Sequence, residues 1–395
     1  MTAIYLDNAA TTQVYPEVFK AMEPYFTEVY SNPASFYSFA GQANQAVDTA
    51  RRTIAQLIGA KPEEIYFTGG GSESDNWALK ATAEAYAQKG KHIITSKIEH
   101  HAILHTCKWL EKQGFEVTYL DVDENGIVQP DTLRAAIRPD TILVSIMAAN
   151  NEIGTIEPLA ELGKIAHEAG ALFHTDAVQA FGHIPMNVDE MNIDMLSASG
   201  HKIHGPKGIG ILYIRKGIKI RSFIHGGAQE RSRRAGTHNV PAIVGMGEAV
   251  RLAMENMEKN IAYQTELRNY LIDRVLTEIP YARLNGHKEM RLPNNANFCF
   301  RFIEGEGMLI LLDQNGIYAS SGSACTSGSL DPSHVLLAIG LPHEIAHGSL
   351  RLSLSEKTTK EEIDYTVDQL VKIIERLRSM SPLYEDFLKK QIKQP

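Results

Sequence analysis

The sequence predicts an α/β protein with a large, mostly parallel sheet domain and a second, smaller α+β domain, and three observations carry that prediction. From about residue 62, short β-branched runs alternate with amphipathic stretches. Near residue 239 that rhythm stops and a long helical stretch begins. Beyond it, NANFCFRF at 295–302 alternates apolar and polar residues, as a strand in a different setting would. Strands separated by helices require right-handed crossovers and a parallel sheet covered on both faces. Such sheets bind ligands outside the carboxyl ends of their strands, so a polar residue just past a strand is a site candidate.

The elements follow in order. IYFT at 65–68 leads into a helix through Leu79, HIITS at 92–96 into a helix through Trp109, and VTYL at 117–120 into a helix near Leu133. ILVSIM at 142–147, a helix over 159–169, ALFHTDA at 171–177, IDMLSAS at 193–199 and GIGILYI at 208–214 complete the series. Residues 240 to about 279 read as one or two long helices, a length that usually bridges domains. In NANFCFRF, Phe298, Phe300 and Phe302 fall on one face and Asn297, Cys299 and Arg301 on the other, the pattern of a half-buried strand. The expected division is a large domain at 14–259 and a small one made of 1–13 and 260–395.

Composition narrows the function classes. The 395 residues carry 39 Lys and Arg against 47 Asp and Glu, a net charge of -8, with no long cationic run, which argues against direct nucleic-acid binding. With 44% hydrophobic and 22% charged residues the chain has the means to build a sizeable core. MTAIYLDNAATTQ has neither a basic leader nor an apolar stretch, so no secretory signal is expected and the mature protein is expected to start here. No apolar run approaches the roughly 20 residues of a membrane helix. Cys107, Cys299 and Cys325 are too few and scattered for a disulfide framework or a zinc cluster, and a reducing cytoplasm is the expected location.

Several residues could carry chemistry. Thr68-Gly69-Gly70-Gly71-Ser72 lies between a strand and a helix, where free N–H groups and the helix dipole can cradle one phosphoryl group. The alternative is a tight turn with Ser72 as N-cap and Asp75 in something like a capping box. Asp176 ends an apolar strand, with Gln179 three residues on, and is either a ligand-facing acid or a helix cap. Lys202, in Ser199-Gly200-His201-Lys202, is either a Schiff-base nucleophile or a solvated surface lysine. Together, a phosphate cradle, an acid for a pyridinium N–H and a lysine are the protein groups that pyridoxal 5'-phosphate requires. His100 follows a strand and could stack on a flat ring or cap a helix, while His101 and His105 form the i, i+4 pair of a metal reading that lacks a third ligand. Cys325 sits in a run of small residues, 320–329, expected to be exposed and mobile, where a thiolate could act as nucleophile. Cys107 and Cys299 read as small structural residues. Arg351 could clamp a carboxylate or be an ordinary strand residue.

These residues stand in motifs that resemble the pyridoxal-phosphate-dependent cysteine desulfurases of the NifS/IscS type, on the aspartate-aminotransferase-like (type I) fold. The resemblance runs through YLDNAATT at 5–12, GGSESDN at 70–76, SKIEHHA at 96–102, ANNEIGT at 149–155, HTDAVQ at 174–179, SGHKIHGPKG at 199–208, QERSRRAGT at 229–237, SSGSACTSGS at 320–329 and HGSLRLSLS at 347–355. SLDPSHVL after the cysteine resembles the long-loop group that serves iron–sulfur cluster assembly. The resemblance implies that Lys202 carries the cofactor as a Schiff base, Asp176 pairs with the ring nitrogen, Gln179 bonds the ring hydroxyl and His100 stacks on the ring. It gives the phosphate to Ser72, Ser199 and His201, with Thr237 reaching it from a neighbouring subunit. Asn151 and Arg351 would orient the substrate, L-cysteine, and bind its carboxylate, and Cys325 would accept the sulfur. The implied partners are a second copy of the chain and a scaffold or sulfur-acceptor protein.

A homodimer is expected for a further reason: QERSRRAGT is rich in donors with no evident role inside its own subunit. Tyr37, Ser72 and Ser355-Glu356 stand where the family usually has histidine, threonine and a Gly-Arg pair. The rival readings are another enzyme of the same fold, such as an aminotransferase or a β-lyase, which would not need Cys325, and a non-enzymatic persulfide carrier, which would be colourless.

Overall fold

The computed structural model describes residues 3–321 and 332–392, so the expectations for Cys325 and its run lie outside the described residues. In chain order the strands are β1 (Ile4–Tyr5), β2 (Ile65–Thr68), β3 (His92–Ser96), β4 (Glu116–Leu120), β5 (Thr141–Ser145), β6 (Leu172–Asp176), β7 (Met195–Ser199), β8 (Gly210–Ile214), β9 (Ala282–Asn285), β10 (Asn295–Phe300), β11 (Ile317–Tyr318) and β12 (Ser349–Ser353). Seven of them form one sheet in the order β2-β8-β7-β6-β5-β3-β4, parallel except for β8, which runs against both neighbours. The carboxyl ends of β2, β3, β5, β6 and β7 therefore share one edge. Every residue of β2, β3, β5, β7 and β8 is buried, because helices cover both faces. Ile54, Phe67, Val144, Phe173 and Leu196 pack on one side, and Trp77, Leu79, Ile93, Leu143 and Leu212 on the other.

One continuous helix, Val240–Glu278, leaves this core. Its first half packs Ile243, Met246 and Val250 against the large sheet, and its second half packs Leu267, Leu271 and Val275 into another core. That second core lies on the antiparallel sheet β12-β10-β9 under the helix Lys360–Ser379. Here the expected half-buried strand is overturned, since all six residues of β10 are buried. Phe298 and Phe300 face the second core, while Cys299 joins Ile98, Met147 and Ile153 from the large-sheet side together with Val335 and Leu336. Phe302 lies past the strand end, at φ 71°, and packs with Tyr281 and Phe387. The N-terminal residues link the two parts: β1 pairs with β11, the Asn8 N–H and side-chain amide reach the Ser353 carbonyl, and the Thr12 N–H donates to the His201 carbonyl at 3.0 Å. Among the described residues no helix is long and apolar enough to cross a membrane.

One ion pair is deeply buried. Arg51 and Glu230, 7% and 4% exposed, form two hydrogen bonds of 2.7 and 2.8 Å, and Glu230 also accepts from the Phe67 N–H and from His238. Burial alone would raise the Glu230 carboxyl, but Arg51 and His238 hold it down at about 2. The stability this carries is present above the ordinary value of 4.5 and is lost as pH falls through about 2. Removing the partner strands a buried charge, so Arg51→Met is expected to cost about 3–5 kcal/mol. An unchanged denaturant midpoint at pH 7 would contradict this.

Candidate active site

The candidate phosphate cradle is built by close packing. Thr68 ends β2, Gly70 adopts φ 149°, and the helix Gly71–Tyr86 begins at once. A Cβ on Gly71 would lie 2.6 Å from Val178 Cγ2, so only glycine lets this turn sit against the turn that follows Asp176. The capping alternative is overturned: Gly70 is the N-cap and makes no side-chain capping bond, and Glu73 takes the Gly69 N–H at 2.8 Å. Asp75 points inward and is 1% exposed. Ser72 instead lines a cavity of about 560 Å³ with Gly69, Gly70, Gly71, Ser199 and His201. The first-turn N–H groups have no intrahelical acceptor and favour an anion there. Lys207, a cation that sequence reasoning did not assign, lines the same cavity.

Asp176 is the last residue of β6 and is 5% exposed, its Oδ1 accepting the Val178 N–H at 3.0 Å. Burial pushes its carboxyl up to about 6, against the pull of that N–H and of Lys202. Two residues back on the strand, His174 is held between the hydroxyls of Ser145 at 2.9 Å and Ser197 at 3.0 Å, and burial keeps it neutral, at about 3. Asp75 Oδ1 lies 3.8 Å from the His174 ring and has no hydrogen bond. Burial, then the neighbouring Asp176, push the Asp75 carboxyl well above the usual range. Two carboxyls in one buried region cannot both ionise easily. Asp176 has Lys202 as a neighbour, so the proton stays on Asp75 and the charge on Asp176.

Lys202 follows β7 in a short turn, Gly200–Lys202. Its Nζ donates to the carbonyls of Ala9 at 2.6 Å and Ala10 at 2.7 Å, and Gln179 Nε2 donates to the same Ala9 carbonyl at 3.0 Å. The solvated-lysine alternative therefore gives way to an ammonium covered by the N-terminal segment. His100 caps the helix His101–Lys112 through Nδ1, which accepts the Ala102 N–H at 3.1 Å. That bond puts the proton of the neutral ring on Nε2. Burial, Lys202 and His105 all lower the tendency of His100 to charge. His101 and His105 stack face to face at 5.0 Å, and no group of three or more His, Cys, Asp or Glu among the described residues is arranged to hold a metal ion.

Arg351 in β12 is 3% exposed; one terminal nitrogen pairs with Asp7 at 2.8 Å and the other donates to the Asn151 main-chain carbonyl at 3.0 Å. Its Nε is buried without a partner, a donor still open to a carboxylate. Asp7, within YLDNAATT, carries no local signal of this role in the sequence, because its contact with Arg351 spans 344 positions. Thr237 is exposed and is not among the residues lining the phosphate cavity. The expectation that its segment has no role within its own subunit is overturned. Arg234 binds Glu73 through two hydrogen bonds, Arg231 donates to the Ile65 carbonyl and lies over the Tyr66 ring, and Glu230 closes on Arg51. Glu356 lies 3.3 Å from His204, whose ring stacks on Tyr15, which gives that departure a local partner. Tyr37 is exposed.

Ser72, Ser199, His201, Lys207 and the free N–H groups suit a phosphoryl dianion, and a buried anionic Asp176 near Lys202 suits a protonated heteroaromatic nitrogen. The donor set thus fits the group expected from sequence. The family model for aminotransferase class-V matches residues 4–366. A curated relative, cysteine desulfurase IscS of Methanosarcina thermophila, is 58% identical over 381 residues, 96% of this chain and 94% of that protein. A solved NifS-like protein superposes with a TM-score of 0.90 at 40% identity, covering 95% of this chain and 100% of that one. A structure described as SspA in complex with cysteine gives 0.80 at 39% identity, covering 91% and 100%.

Proposed function

We infer a division of labour among these residues from the premise that the chain belongs to the aminotransferase class-V family and is a pyridoxal-phosphate-dependent cysteine desulfurase with the aspartate-aminotransferase-like fold. Ser72, Ser199 and His201 hold the cofactor phosphate, and Thr237 of a neighbouring subunit completes the cradle. His100 covers the ring, Gln179 turns from the Ala9 carbonyl to the ring hydroxyl, and Asp176 keeps the ring nitrogen protonated. When bound, pyridoxal phosphate supplies an electron sink for negative charge developing at the substrate Cα. Lys202 anchors the cofactor and, once released, takes the Cα proton of L-cysteine. Arg351 exchanges Asp7 for the substrate carboxylate, with Asn151 beside it. The Cys325 thiolate attacks the substrate sulfur, so that an S–S bond forms as the C–S bond breaks; the bonding pair stays with the carbon fragment, which is protonated to alanine.

The observation that carries this reading is the meeting of the phosphate cradle, Asp176 and Lys202 at one sheet edge, under the same N-terminal segment that supplies Asp7 to Arg351. Incubation with L-cysteine tests it: alanine and sulfide in equal amounts are expected with a reductant present, whereas sulfide with pyruvate and ammonia would mark a β-lyase. The sulfur goes to an acceptor protein, iron–sulfur cluster assembly being the reading supported by the name of the Methanosarcina relative, and a reducing cytoplasm keeps the acceptor thiol free of disulfides. A homodimer fits because Arg51, Glu230 and Arg234 fasten the Thr237 segment at the surface while Thr237 itself stays exposed. Sedimentation of a fully active monomer would exclude the dimer.

A further inference from the structure

Residues 322–331 contain Cys325, and the described residues on both sides of them are fastened to the substrate side of the site. Before the segment, Ser320 exchanges two main-chain hydrogen bonds with Arg351, of 2.7 and 3.3 Å. After it, Ser333 Oγ donates to Glu152 Oε2 at 2.5 Å, and His334 Nε2 donates to the Glu99 carbonyl at 3.0 Å. Each anchor adjoins a residue already placed in the site: Glu152 follows Asn151, and Glu99 precedes His100.

The hydroxyl of Ser333 is fully used. It accepts the Val335 and Leu336 N–H groups as cap of the helix His334–Ala338, which leaves its one O–H for Glu152. Glu152 is 5% exposed, and a buried carboxylate is costly unless its oxygens are hydrogen-bonded. Packing alone would be served by an apolar side chain here, since Val335 and Leu336 already sit among Ile98, Met147, Ile153 and Cys299. Asn150 joins the remaining pieces: its Oδ1 accepts the Glu152 and Ile153 N–H groups, and its Nδ2 donates to the Ile98 carbonyl at 2.9 Å. The segments at 98–100, 150–153 and 333–336 are thereby held as one body beside Arg351.

Cys325 lies five residues after Ser320 and eight before Ser333. Even a fully extended chain keeps it within about 17 Å of the first anchor and about 27 Å of the second. The anchors therefore bound how far the thiolate can lie from the substrate, and displacing one lowers its effective concentration at the substrate sulfur. We propose that the Ser333–Glu152 hydrogen bond, backed by His334 on Glu99, is a positioning device for sulfur transfer to Cys325. It acts through Cys325, touches no reacting atom, and rests on the reading of Cys325 as sulfur acceptor.

The test uses the holoenzyme and reads two steps separately: the change that L-cysteine causes in the cofactor's visible spectrum, and persulfide formation on Cys325 by quenched mass spectrometry. In Ser333→Ala the spectral step and KM are expected to stay within about twofold of native while persulfide formation slows about tenfold. Ser333→Thr should restore the rate. Ser333→Asp caps a helix as well as serine does but sets a second carboxylate against Glu152, so it should be as slow as alanine. A native rate in Ser333→Ala, equal slowing of both steps, or a fast Ser333→Asp would each overturn the proposal, the last by reducing Ser333 to a helix cap. Persulfide on Cys107 or Cys299 of the native enzyme would overturn it together with the Cys325 reading, an outcome visible before any Ser333 variant is made.

Discussion

Lys202→Ala is expected to abolish the yellow colour of the lysine-bound cofactor and to lower turnover by about 10⁴-fold or more, because both the covalent anchor and the proton carrier are lost. Lys207 lines the phosphate cavity but is exposed, where it can serve as a cation for the phosphoryl group. Lys202 differs in being covered: its ammonium lies against two carbonyls of the N-terminal segment and within electrostatic reach of Asp176 and His100. Losing the nucleophile should leave the phosphate cradle intact, so the variant should still take up cofactor, released on denaturation as the free aldehyde. Lys202→Arg separates charge from nucleophilicity and should equally lack the lysine-bound band, showing only that of the aldehyde. Normal desulfuration of L-cysteine by either variant would remove Lys202 from its role.

The large sheet was legible because its strands and helices repeat with different periods, and the placement of Ser72, Asp176 and Lys202 just past strands follows from that topology. What the sequence left hidden depends on contacts between distant segments. The β10 pattern reads as half-buried because alternation reports side-chain type, whereas Cys299 and Asn297 are covered by residues that come from around 98, 147 and 153 or from β9. Asp75 looks like part of a cap from its spacing after Ser72, yet it faces His174 and shapes the charge of Asp176. Arg231 and Arg234 look unused in sequence because their acceptors, the Ile65 carbonyl and Glu73, lie more than 150 positions away.

Cys325→Ser is expected to keep the cofactor colour and the spectral response to L-cysteine, and to lose the protein-bound persulfide entirely. The retained steps are expected to depend on Lys202, Asp176 and the phosphate cradle, whose side chains and main-chain N–H groups come from the sheet edge. The lost step requires a thiolate that can reach the substrate. Cys107 is 0% exposed in the helix His101–Lys112, and burial pushes its thiol well above the ordinary value. Cys299 is also 0% exposed, lies on β10 beside Asn285, and is pushed up to about 11 by burial. At pH 7 such a thiol is ionised in only about one molecule in 10⁴. Neither can take over when Cys325 is replaced, since a serine hydroxyl does not ionise at neutral pH and cannot hold sulfur as a persulfide. Cys107→Ser and Cys299→Ser should therefore transfer sulfur normally, with any loss confined to stability because each puts a hydroxyl into an apolar cluster. Mass spectrometry after L-cysteine treatment decides between these outcomes: persulfide on Cys107 or Cys299, with Cys325→Ser still delivering sulfur, would show that Cys325 is dispensable and that a buried thiol opens during turnover.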